Sequence, residues 1–109
     1  MNIKPLINIG IAISLSFSAA SVFAETVIIE VKKDMFGIEQ PLVIKAGTTV
    51  KWVNMEKRQY HSVWFEAEGL PEPDYIFPEE SWERTFDKPG TYHYRCEPHE
   101  EMTGTIIVE

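Results

Sequence analysis

The chain holds a single cysteine, Cys96, so no disulfide can form within it. Small exported domains commonly use disulfides, because a short chain buries a limited core. A lone thiol in an oxidising compartment is exposed to oxidation unless something occupies it. A metal bond would occupy it and add binding energy to the folded state. Basic residues are also scarce: 10 Lys and Arg stand against 17 Asp and Glu, for a formal net charge of −7. That balance excludes a nucleic-acid backbone as partner, since phosphate binding needs a basic surface. It suits a cationic protein partner. Methionine-rich tracts, internal repeats and low-complexity segments are absent, and no helical period runs for any length.

Long apolar runs are absent beyond the first 24 residues. Within them, Lys4 gives a weakly positive start, Leu6 to Ala20 is mostly apolar, and Ser21-Val22-Phe23-Ala24 ends on a small residue. This is the pattern of an export signal cut after Ala24. The apolar run is short for a membrane span, which needs about 20 residues. The expected organisation is therefore a signal peptide at 1–24 and one domain at 25–109, exported and without stable membrane association after cleavage.

The remaining chain reads as short strands between turn signals. Strands are expected over 26–32, 40–45, 49–54, 60–65, 81–86, 91–95 and 103–108. Lys33 to Gly37 reads as a polar break with the turn at Gly37. Four residues of the 66–80 stretch, Gly69, Pro71, Pro73 and Pro78, exclude regular structure over most of it. Seven carboxylates and no basic residue fall between positions 66 and 83, and they read as a solvated face. Seven strands of this kind predict an all-β, antiparallel β-sandwich.

The chemistry concentrates in Cys96-Glu97-Pro98-His99-Glu100-Glu101-Met102. A thiol, an imidazole and a thioether recur there every third position. With a second imidazole they form the donor set of a mononuclear blue-copper site. His61 supplies that imidazole, at the mouth of an apolar run. Period-two alternation puts Tyr92, Tyr94 and Cys96 on one face of their strand. His93 and Arg95 then face solvent, and His93 is not counted as a ligand. A zinc site would want four strong ligands, and no second cysteine exists to complete one. No substrate position and no acid/base pair is evident, so the chain does not read as an enzyme. The candidate metal ligands are His61, Cys96, His99 and Met102, for one copper per chain. A copper chaperone or buffer could use the same four residues.

These residues resemble the cupredoxins. The resemblance covers Gly47-Thr48-Thr49-Val50-Lys51-Trp52-Val53-Asn54 and the run Phe86 to Cys96. It continues through Cys96-x-x-His99-x-x-Met102 and Gly104. The two-residue gap between His99 and Met102 is most similar to that of the amicyanin-type carriers. The resemblance implies a Greek-key β-sandwich of about seven or eight strands with copper at one end and His99 as the exposed electron port. It also implies a periplasmic carrier between a dehydrogenase or oxidase and a cytochrome; the acidic balance of the chain favours a basic, c-type cytochrome, and the carrier is expected to be a monomer. It departs from the family at Ser62, where an asparagine often ties the two ligand loops together. The shorter serine is expected to hold them less tightly. Glu97, Glu100 and Glu101 crowd a port that is usually ringed by apolar residues.

Overall fold

A computed structural model describes residues 24–109 of the chain. The export-signal reading, at 1–24, lies outside the described residues except for Ala24. Seven strands form two sheets: β1 (Thr26–Lys32), β2 (Met35–Gly37), β3 (Leu42–Ile44), β4 (Thr48–Asn54), β5 (Ser81–Phe86), β6 (Gly90–Arg95) and β7 (Thr103–Val108). One sheet runs β2-β1-β4-β5 and the other β3-β7-β6. The architecture is an all-β sandwich, as expected. It is not purely antiparallel, however: β1 pairs with β4, and β3 with β7, in parallel. Both parallel pairs arise because the chain crosses between sheets for β3 before returning for β4. Among the described residues, no helix is long and apolar enough to cross a membrane.

The strand count matches the expectation through two errors that cancel. Met35–Gly37, expected as a break, is a strand paired with β1. The turn is instead Lys33-Asp34, with φ of 55° and 54°. Two consecutive positive φ values are what a two-residue hairpin loop requires. Lys-Asp lacks the Asn-Gly signature that would announce one. Gly37 lies opposite Glu30 in the ladder, and a Cβ there would sit 2.8 Å from the Glu30 carbonyl oxygen.

Conversely, 60–65 is not a strand. It makes only two isolated bridges, His61 with Ile76 and Trp64 with Arg95. The partner on the first side lies between Pro73 and Pro78, which cannot extend a ladder. The 66–80 stretch is irregular as expected, apart from a 3₁₀ turn at Glu66–Glu68.

Alternation along the strands places Ile29, Val31, Val50 and Trp52 from one sheet against Tyr94, Ile106 and Val108 from the other, all buried. Trp52 and Tyr94 meet edge to face at 5.3 Å across the sheets, and the Trp52 indole donates to the Tyr94 hydroxyl at 3.3 Å. This pair lies in the same strands whose ends carry Asn54 and Cys96, so it sets the spacing of the sheets beneath the candidate site. Gly104 is paired with Tyr94 in the ladder, and a Cβ on it would run into the Tyr94 ring.

Two arginines fasten the 3₁₀ turn. Arg84 holds Glu68 through two hydrogen bonds of 2.8 and 3.0 Å while its guanidinium lies over the Phe65 ring. Arg95 donates to Glu66 at 2.9 Å. Two carboxylates of the acidic stretch are thus paired rather than merely solvated.

Gly104→Ala forces Tyr94 to move and should destabilise the fold by roughly 1–3 kcal/mol, the usual cost of overpacking. Urea denaturation of the metal-free protein measures it, and an unchanged midpoint would contradict the Tyr94 contact.

Candidate metal centre

The site lies at one end of the sandwich, where three chain segments meet. β6 carries the alternation into Cys96, whose side chain is completely buried. The chain then turns back on itself. The Cys96 amide donates to the Met102 carbonyl, and the Met102 amide donates to the His99 carbonyl, each at 2.9 Å. These two bonds close the 96–102 loop and launch β7.

The third segment is 61–64. His61 exchanges backbone hydrogen bonds with Ile76 at 3.1 and 2.7 Å, and Trp64 with Arg95 at 2.8 and 3.0 Å. His61 is thereby fixed between the irregular 66–80 stretch and the end of β6.

The imidazoles converge on the thiol. His61 Nδ1 lies 3.7 Å from Cys96 Sγ, and His99 Nδ1 lies 3.5 Å from it. The ligand atoms of the three residues all fall within 4.8 Å of one another. His61 and Cys96 have no exposed surface, Met102 has 4%, and His99 is half-buried. Of the four sequence-predicted residues, only His99 reaches the surface. His93 is exposed on the opposite face of β6, with Nδ1 at 3.1 Å from the Thr105 hydroxyl. It takes no part in the site, as the alternation predicted.

Ser62 does more than its size suggested. Its amide donates to Cys96 Sγ at 3.3 Å, and its hydroxyl accepts from the Glu97 amide at 2.8 Å. The two loops are therefore tied through serine. The short side chain suffices because the Trp64–Arg95 bridge already brings the backbones together.

Asn54 is a second anchor that the sequence reading passed over. It is buried at the end of β4 and donates to the carbonyls of Gln59 and Ile76 at 2.9 and 2.8 Å. A signal was present: alternation puts Asn54 on the same face as Val50 and Trp52, where an unpaired amide would be costly.

Burial also sets the protonation states. Burial chiefly, with His99 nearby, lowers the His61 pKa, while Glu56 and Asp34 partly oppose this. Burial raises the Cys96 pKa, only partly offset by hydrogen bonds from Ser62 and His99. The metal-free site thus holds a neutral imidazole beside a protonated thiol. One thiol and two imidazole nitrogens, converging at a buried cysteine, are a soft and borderline donor set that fits copper. Any such ion must displace the Cys96 proton.

The comparisons agree with that chemistry. A family model described as copper-binding proteins of the plastocyanin/azurin family matches residues 25–109. The chain is 35% identical to amicyanin of Paracoccus denitrificans over 97 residues, which cover 85% of this chain and 72% of that protein. It is 43% identical to plastocyanin of Scenedesmus fuscus over 79 residues, covering 62% of this chain and 81% of that one. Among solved structures, the Cu(I) form of an amicyanin mutant matches with a TM-score of 0.71 and 33% identity, over 84% of this chain and 89% of that one.

Two outcomes are expected of the metal-free protein. Ser62→Ala leaves the Glu97 amide without its acceptor and should cost about 1 kcal/mol in urea denaturation. Because folding lowers the His61 pKa below its ordinary 6.5, the unfolded chain binds the extra proton first. Stability present above pH 6.5 is then lost as pH falls towards the folded value. The melting temperature should drop between pH 7 and pH 5, and less steeply in His61→Gln. Equal slopes in the two proteins would contradict the assignment.

Proposed function

Because the chain belongs to the plastocyanin/azurin family of copper-binding proteins, we propose that it is a blue-copper electron carrier, binding one copper through His61, Cys96, His99 and Met102. The observation that carries this reading is the approach of both Nδ1 atoms to the one buried sulfur, at 3.7 and 3.5 Å. The copper supplies a one-electron Cu(I)/Cu(II) couple. The protein supplies everything that makes the couple useful.

Backbone ties at Cys96, Ser62 and Met102 hold the donors in one arrangement that suits both oxidation states, so little has to move when an electron passes. Ile76, bridged to His61, and Val63, two residues after it, are buried and help exclude water from that side. The half-buried His99 edge is the port through which the electron enters and leaves. Buried donors with this many ties favour a carrier over a copper-delivery protein, which must release its ion.

The partner is a redox protein with a basic surface, such as a c-type cytochrome, or alternatively a dehydrogenase or oxidase. Three aromatic side chains beside the port support brief docking. Tyr60, Tyr75 and Phe77 are all exposed, with ring centroids 4.5 Å apart for the tyrosines and 5.7 Å for Tyr60 and Phe77. Tyr75 also donates to Glu97 at 2.9 Å. Glu97, Glu100 and Glu101 give the face its negative charge, which speeds encounter with a cationic protein. The first 24 residues act as an export signal, which places a monomeric carrier of residues 25–109 in the periplasm.

Adding Cu(II) should produce an intense visible charge-transfer band. Cys96→Ala should abolish the band. Met102→Gln should keep the copper and shift the potential, and His93→Ala should change neither. A wild-type protein that stays colourless with Cu(II) overturns the reading.

A further inference from the structure

The buried end of His61 is unaccounted for. Its Nδ1 faces Cys96, and its Nε2 is the one buried side-chain nitrogen or oxygen among the described residues with no hydrogen-bond partner. A histidine that binds metal through one nitrogen nearly always donates its other N–H to a carboxylate, a carbonyl or water, which fixes the tautomer and the ring. Here the neighbouring acceptor is Glu56, whose Oε1 lies 3.7 Å from Nε2. That is beyond hydrogen-bond length by several tenths of an ångström, a gap that a small rotation of a partly exposed side chain can close.

Glu56 is not placed there by chance rotation. Its amide donates to the Asn54 side-chain oxygen at 2.8 Å, and Asn54 is itself buried and anchored. Its Oε1 accepts from the Asp34 amide at 3.2 Å. Asp34 is the second residue of the Lys33-Asp34 turn, which joins β1 to β2 and has positive φ at both positions. The hairpin turn and the end of β4 together hold one carboxylate against the back of His61.

Resting on the copper reading above, we infer that Glu56 is a positioning residue for the metal centre: it accepts the His61 Nε2 proton, leaves the Nδ1 lone pair for the metal, and favours Cu(II) over Cu(I). The sign follows from charge. A carboxylate bonded to the ligand makes the imidazole a stronger donor and offsets the extra positive charge of the oxidised ion. Asp34, Glu56 and His61 also have ligand atoms within 4.8 Å of one another. A second cation there would require Nε2 to give up its last proton while Nδ1 is already engaged. Donation to Glu56 has no such cost.

Two substitutions separate charge from structure. Glu56→Gln keeps an oxygen for the Asp34 amide and loses the charge, whereas Glu56→Ala loses both. The test is voltammetry of the copper-loaded proteins, with nitrogen-15 NMR of the histidine rings in the Cu(I) form. Wild type should show a slowly exchanging, downfield Nε2 proton on His61. In Glu56→Gln this proton should move upfield while the visible band remains. Outer partners of metal-bound histidines change affinity about 10–100-fold. A tenfold loss confined to Cu(II) would raise the potential by about 59 mV. Glu56→Ala should raise it as well and exchange the Nε2 proton faster. An unchanged potential and unchanged Nε2 resonance in both variants overturns the inference while leaving a blue wild-type protein intact. A colourless wild type would instead overturn the copper reading itself.

Discussion

The copper end of this molecule depends on one seam, the pairing of residues 61–64 with the end of β6. Two backbone hydrogen bonds join Trp64 to Arg95; the Ser62 amide donates to Cys96 Sγ, and the Ser62 hydroxyl accepts from the Glu97 amide. The seam brings His61 beside a cysteine far along the chain. It also fills the hydrogen-bonding needs of a segment that belongs to neither sheet. Without it, His61 would sit on an irregular loop and the thiol would face only His99. The 96–102 loop needs no such help, because its own two backbone bonds close it. The difference explains why the site is half local and half tertiary.

The same division governs what the sequence discloses. Cys96, His99 and Met102 are legible because their spacing is a property of the loop. Tyr94 and His93 are legible because alternation assigns opposite faces of β6. His61 is recognisable by residue type and apolar context, but its approach to the thiol is a tertiary fact. Lys33-Asp34 gives no turn signal, since neither residue favours positive φ strongly, and so β2 goes unseen. Segment 60–65 looks like a strand because its composition suits one. Its neighbours offer only single bridging residues, and composition cannot report a missing partner. Glu56 gives no signal at all, because a carboxylate in a polar loop is ordinarily solvated.

Charge and burial play opposite parts at the two sides of the site. Towards the core, burial lowers the His61 pKa and raises that of Cys96, so both groups are held towards their neutral forms. A bound cation then brings its charge into a recess with little water to screen it, where nearby carboxylates count for more than they would at the surface. Towards solvent, Glu97, Glu100 and Glu101 act over a longer range and are weakened by salt. In the proposed carrier, the carboxylate behind the site bears on the resting potential, and those around the port on the choice and speed of partner. An electron carrier needs these properties set independently, and here they fall to different residues.

In this reading the protein, rather than the oxidation state, decides where the donors stand. X-ray absorption at the copper edge of the loaded protein, in its oxidised and reduced forms at neutral pH, tests it most directly. One short sulfur and two nitrogen neighbours are expected in both forms, at nearly unchanged distances. Loss of a nitrogen neighbour on reduction, or a change from sulfur to oxygen coordination between the two forms, would contradict it.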